Sequence, residues 1–238
     1  MNTTIPVIEN STIEDLYTRY VKIHDTPEYR NQYVPLPVTK NNKKWKWEGK
    51  DFPRIISLLE FEKYIQKYNF NINDLLIFNG ENDPELEYLE GRIKNIHHGL
   101  YEQDTFNYDL HRFNLPKKDY DFICLHQTLE HVYNPYQCLV NIKKHLTPDG
   151  YVYINVPACN IPHSDPFHYY TGYTSMGLTA LAHQAGFKIL EIGQWGNTEY
   201  LVNLFTRQPG WSDYTQLSNP GLNEFYNPVI TWGLFQNQ

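Results

Sequence analysis

The chain is poor in the features that tie a protein to a membrane, a secretory route or a disulfide framework. It has three cysteines in 238 residues, Cys124, Cys138 and Cys159. An odd number cannot pair completely within one chain, and none lies in C-x-x-C or another metal-ligand spacing, so reduced thiols are expected. No stretch approaches the ~18–20 consecutive apolar residues that cross a bilayer. The opening MNTTIPVIENSTIEDLY lacks the basic-then-apolar order of a secretory leader. These absences predict a cytoplasmic protein with no membrane partner. Positive charge is scarce: 20 Lys plus Arg face 27 Asp plus Glu, a formal charge of -7. That balance argues against nucleic acid as a partner, although KNNKKWKW at 40–47 is a local basic and aromatic patch. No Gly-x-Gly-x-x-Gly opens a helix after the first predicted strand, which argues against a nicotinamide cofactor.

Tyrosine is abundant, at 20 residues, alongside 5 tryptophans. An apolar ring with a polar tip suits half-wet pockets and interfaces, including one with a second copy of the chain, as well as cores. The first third reads as helical. Ser11 with Glu14 three residues on resembles a capping box, and Leu16, Tyr17, Tyr20 and Ile23 recur at helical spacing, predicting a helix over 11–24 that ends before Pro27. A proline-bearing connection fills 25–51, and a second amphipathic helix begins at Pro53 and runs to about residue 69.

From residue 74 short apolar runs alternate with helical stretches. Strands are expected at 75–78, 92–98, 105–110, 120–126, 150–157, 187–193 and 227–235, with helices over Pro135–Leu146 and Ser175–Ala185. Gly186 stands where a helix C-terminus wants one. The fold class is α/β: a doubly wound, mostly parallel seven-stranded sheet with an N-terminal helical extension. Residues 1–70 form that extension and 71–238 the α/β domain, whose 194–226 insertion leaves room for an antiparallel last strand.

Residues 120–195 contain YDFICLHQTLEHV, then Asn-Pro, LVNIKKHL, Pro-Asp-Gly, the strand YVYINVP and AGFKILEIG. In this order and spacing they resemble the class I S-adenosylmethionine-dependent methyltransferases. The LEH with a downstream L-x-P-x-G looks most like the branch that modifies small molecules, sugars and lipid precursors. The resemblance implies S-adenosylmethionine as cofactor and methylation at oxygen or nitrogen of a small-molecule, sugar or glycan-linked acceptor. A second reading, from another class, is a methyltransferase-like binding or scaffold protein without catalysis. Its motive is the first turn. The family ends its first strand in an acid and a Gly-x-Gly-x-Gly run; here Phe78 stands at the acid, Gly80 at the first glycine and Asn82 at the second. Glu81 or Asp83 is then the substitute acid.

The same resemblance places Glu102 on the ribose hydroxyls, and Asp109 with the Leu110 amide on the adenine edge. His126 and Gln127 close the fourth predicted strand, beside the cofactor. Methyl transfer needs positioning and exclusion of water, with a base where the acceptor must lose a proton. Imidazole titrates near neutrality, so His131 and His168 are the candidate catalytic residues. For His131 the alternative is packing at a helix start. His163, Asp165 and His168 share one loop, but their spacing matches no strong ligand pattern, and no metal is expected. Gln194, Trp195, Gly196, Asn197, Tyr200, Trp211 and Tyr214 read as an acceptor-pocket floor or lid, or as a structural extension.

Overall fold

The computed structural model describes residues 5–36, 47, 49–78, 83–100, 108–112, 115, 119–207 and 210–238. Among them the sheet has six strands: β1 Ile72–Ile77, β2 Ile93–His98, β3 Tyr120–His126, β4 Leu146–Pro157, β5 Lys188–Gly196 and β6 Pro228–Gln236. Their order is β2-β1-β3-β4-β6-β5. The pairs β1–β2, β1–β3 and β3–β4 are parallel, and β6 runs antiparallel to both β4 and β5. The doubly wound, mostly parallel arrangement with an antiparallel last strand is therefore present, with six strands where seven were expected. The short strand predicted at 105–110 falls partly outside the described residues, and Tyr108–Leu110 form bend and turn.

Alternation along the strands builds two cores, because successive side chains leave a strand on opposite faces. On β3, Phe122 and Cys124 join one cluster while Ile123 and Leu125 join the other. On β4, Tyr153 faces the first, and Val152, Ile154 and Val156 the second. The first face is covered by α3 (Phe52–Tyr68), whose Phe52, Ile55 and Phe61 meet Tyr153, Trp195 and Trp232. The second is covered by α5 (Pro135–Lys144) and α6 (Ser175–Gln184) through Leu139, Ile142 and Leu178.

Helix ends follow local chemistry. Asn134 caps α5 by accepting from the Gln137 amide, with Pro135 in the first turn; Thr174 caps α6 through the Gly177 amide. Gly186 adopts φ 82, the left-handed geometry that ends α6. Ser11 is not the first cap: α1 (Asn10–Leu16) starts after Glu9 without a side-chain cap bond and tightens through a π turn, Tyr17–Val21, and a 3-10 turn, Lys22–His24. A separate short helix α2, Pro27–Arg30, is capped by Thr26. After β1 comes α4, Glu85–Tyr88, and after β5 comes α7, Thr198–Thr206. No helix among the described residues is long and apolar enough to cross a membrane.

Candidate active site

The strand order reverses between β1 and β3, so a crevice opens outside the carboxyl ends of these strands, where doubly wound sheets take ligands. Its first wall follows β1. The Gly99 amide donates to the Ile77 carbonyl (2.8 Å), and a Cβ on Gly99 would lie 2.9 Å from the Phe78 ring and 3.1 Å from Tyr108. Two aromatic side chains therefore close on Gly99 at the end of β2, and a Cβ there would require the Phe78 ring to shift. Gly80, Glu81, Asn82 and Glu102 lie outside the described residues.

Below this crevice sits a buried ionic network that sequence reasoning missed. His126 Nδ1 is 2.9 Å from Asp83 Oδ2 and 3.4 Å from Glu85 Oε2. Arg54, from α3, pairs with both Glu85 oxygens and reaches Asp83 at 3.4 Å. Asn155 donates to Glu85 (3.1 Å), and Gln127 donates to Asn155 (3.0 Å). The strand alternation that turns Leu125 to one core turns His126 inward, and its ring is 0% exposed. His126, expected beside the cofactor, is thus tied to Asp83, and Asp83 is committed to His126 and Arg54. Desolvation lowers the His126 pKa. For Asp83 burial works against charge, but His126, the Glu85 amide and Arg54 hold its carboxyl well below the usual range.

Asp109 is buried and commits both oxygens to its own turn: Oδ1 accepts from the His111 amide (2.9 Å) and Nδ1 (2.8 Å), and Oδ2 from Arg112 Nε (3.0 Å). His111 Nε2 accepts from the Asn134 amide, so Nδ1 carries the proton. The Leu110 carbonyl accepts from Asn141 (3.0 Å), tying this turn to α5. Gln127 adopts φ 49 at the end of β3 and faces the next compartment.

That compartment is a narrow crease with about 10 Å³ of free space, lined by Asp51, Gln127, Asn160, Tyr200 and Trp211 among others. Asp51 accepts from the Tyr200 hydroxyl, and burial pushes its carboxyl up to about 6. Trp211 Nε1 donates to Asn160 (3.0 Å), and its ring stands 6.0 Å from His163. Of the aromatic set expected to line a pocket, Trp195 and Tyr200 are buried in the core, Asn197 caps α7 and Gln194 holds Ser175. Trp211 alone of those residues is exposed enough to present a broad apolar surface.

Beyond Trp211 three histidines converge. His131 comes from the 3-10 turn Leu129–His131 after β3, and His163 and His168 from the loop after β4. One ring nitrogen of each lies within 4.8 Å of the others. Desolvation lowers the pKa of both His131 and His168. Asp165, grouped with these histidines by sequence spacing, is exposed instead, and His131 takes its place. Glu130 is 0% exposed, neither of its oxygens has a hydrogen-bond partner among the described residues, and desolvation raises its pKa to about 8.

The methyltransferase-domain family matches residues 77–192, the span from the end of β1 into β5. That match, just under half of the chain, agrees with the resemblance to the class I S-adenosylmethionine-dependent methyltransferases. The chain's cofactor is accordingly S-adenosylmethionine. No curated protein matches the chain by sequence. Among solved structures, the N-methyltransferase NodS from Bradyrhizobium japonicum WM9, in complex with S-adenosyl-L-homocysteine, aligns at 14% identity and TM-score 0.50, covering 87% of this chain and 98% of NodS. The [4+2]-cyclase SpnF aligns at 12% identity and TM-score 0.50 over 99% of each chain. A cyclase on this fold shows why the acceptor chemistry must be argued from this methyltransferase's own side chains.

Proposed function

We propose that this methyltransferase moves the S-adenosylmethionine methyl group to an oxygen or nitrogen of a small polar acceptor, with a sugar or glycan-linked alcohol the best fit. The observation that carries the reading is Asp51: a carboxyl group held near pH 6 by burial, in a small cleft at the carboxyl ends of β3 and β4. A base with that pKa is matched to proton removal near neutrality. S-adenosylmethionine, when bound, would supply an already activated methyl group, and Asp51 would take the proton that the acceptor gives up. Gln127, Asn160 and the Tyr200 hydroxyl supply polar contacts, and the Trp211 ring supplies an apolar face for a sugar. His131 and His168 belong to the same acceptor side, beyond Trp211. Three free cysteines agree with a reducing cytoplasmic setting.

The test is a release assay for S-adenosylhomocysteine with panels of sugars, sugar nucleotides, glycosides, small amines, protein and RNA. Turnover with hydroxylated or amino small molecules is expected. Turnover confined to protein or RNA would overturn the reading.

A further inference from the structure

His131 and His163 each commit Nδ1 to a main-chain oxygen, His131 to Phe167 (2.7 Å) and His163 to Ile161 (2.9 Å). A carbonyl only accepts, so each Nδ1 carries the proton and each Nε2 is left with a bare lone pair. Both nitrogens of His168 are buried without a hydrogen-bond partner among the described residues. Its ring centroid lies 4.6 Å from that of His163 and 5.6 Å from that of His131. Such a cluster sets the bare Nε2 atoms of His131 and His163 and the two nitrogens of His168, one of them an acceptor, around one point, with no hydrogen bond to His168 among the described residues. Buried polar atoms are nearly always paired, and an unpaired set points to a missing partner. Beside them, Glu130 Oε1 is 3.8 Å from His131 Nε2. The Glu130 carbonyl also accepts from the Tyr169 and Tyr170 amides (2.9 and 3.3 Å), fixing the histidine loop against the 3-10 turn.

We propose that His131, His163 and His168 form a binding site for a divalent first-row transition metal of the zinc type. Glu130 is the buried carboxylate that balances its charge, and the site stands at the acceptor side of the cleft. The chemistry selects the ion. Imidazole suits zinc and its neighbours, whereas magnesium and calcium take sets of oxygens. Carbonyl bonds on the outer nitrogens are the usual support for histidine ligands, fixing tautomer and ring orientation. The geometry is within reach: in a tetrahedral zinc site with bonds of ~2.0–2.1 Å the ligand atoms stand about 3.3 Å apart. From a spread of 4.8 Å each pair closes by at most about 1.5 Å, which side-chain rotation supplies. Three protein ligands leave a coordination position open, the arrangement of catalytic rather than structural sites. A metal there would polarise an acceptor hydroxyl; that role rests on the acceptor reading above, whereas binding of the ion does not.

The experiment uses tag-free, chelator-stripped full-length protein titrated with Co2+, read by visible absorption, and with Zn2+ in competition. One saturable equivalent with the intense bands of four-coordinate cobalt, displaced by Zn2+ and indifferent to excess Mg2+, is expected. His163→Ala and His168→Gln should each weaken Zn2+ binding by more than about 100-fold, and Glu130→Gln by about tenfold, with unchanged far-ultraviolet circular dichroism. No saturable binding by folded wild-type protein, or binding unchanged in both histidine variants, overturns the site. If the ion binds but no hydroxylated acceptor is methylated, the site stands and the acceptor reading fails.

Discussion

His126 Nδ1 lies 2.9 Å from Asp83 Oδ2, with both side chains buried, and this bond ties the end of β3 to the segment leaving β1. Arg54 extends the tie to α3 by pairing with Asp83 and Glu85. The two strand ends that frame the β1–β3 crevice are thereby fixed to each other and to a helix from the first third of the chain. Rigidity at this point sets the position of Gln127, one residue after His126, and of the cleft it borders.

Removing Arg54 tests that tie. Arg54→Met leaves two buried carboxylates without their cation, and breaking a buried pair from one side costs about 3–5 kcal/mol. Urea unfolding should show a loss of that size. Arg54→Lys should lose less, because a charge remains though the two-pronged contact does not. A loss under 1 kcal/mol in the methionine variant would mean the carboxylates are already neutral in the folded protein.

Asp51 predicts two opposed pH effects. Its folded pKa, about 6, lies above the ordinary aspartate value because the carboxyl is buried. A raised acid pKa means the folded state holds the proton more tightly, so stability is highest below the unfolded pKa and falls as pH rises from about 4 to 6. Asp51→Asn should remove that fall, leaving the variant more stable than wild type at pH 8 and little changed at pH 4. Activity runs the other way: kcat/KM for the acceptor should decline below about pH 6 with unit slope in wild type. In the asparagine variant that limb should vanish together with most of the turnover. A limb that persists in Asp51→Asn assigns the base elsewhere.

Asp109 carries three bonds that shape its turn, so its loss acts on the cofactor through the loop as well as through any direct contact. Asp109→Ala should weaken S-adenosylhomocysteine binding by ~1–3 kcal/mol, the range for losing a buried acceptor. Arg112→Ala, whose side chain is 83% exposed, should change it little. Calorimetric titration of both variants separates the two, and equal affinities would remove Asp109 from the cofactor site.

What the sequence made legible was local. Asn134 before Pro135 and Gly186 after the sixth helix each act within a few residues, and both mark helix ends in the structure. The strand runs at 75–78 and 120–126 were legible because buried parallel strands are rich in continuous apolar residues. The ionic network was not. Arg54 and Glu85 are 31 residues apart, and Asp83 and His126 are 43, so nothing in either neighbourhood signals the other. Asp51 reads as an ordinary polar residue before a helix until the fold buries it beside Tyr200. The three histidines were each visible, but His131 joins the other two only when the loop after β4 folds back over the 3-10 turn.

That fold-back depends on Gly172. A Cβ there would stand 2.3 Å from the Ala158 carbonyl carbon and 2.5 Å from the Pro157 oxygen, both main-chain atoms. The next residue, Tyr173, donates its amide to that same Pro157 oxygen (2.8 Å), so the loop closes against the end of β4 with no space for a methyl group. Gly172→Ala must therefore displace the base of the loop that carries His163 and His168. A misplacement of about 1 Å can cost on the order of 100-fold where chemistry depends on alignment. The variant should lose at least tenfold in kcat/KM for the acceptor while S-adenosylhomocysteine affinity stays within about twofold, because the β1–β3 crevice lies on other segments. Parallel loss of cofactor affinity would show that the loop supports the whole carboxyl edge of the sheet, and unchanged turnover would place the acceptor away from it.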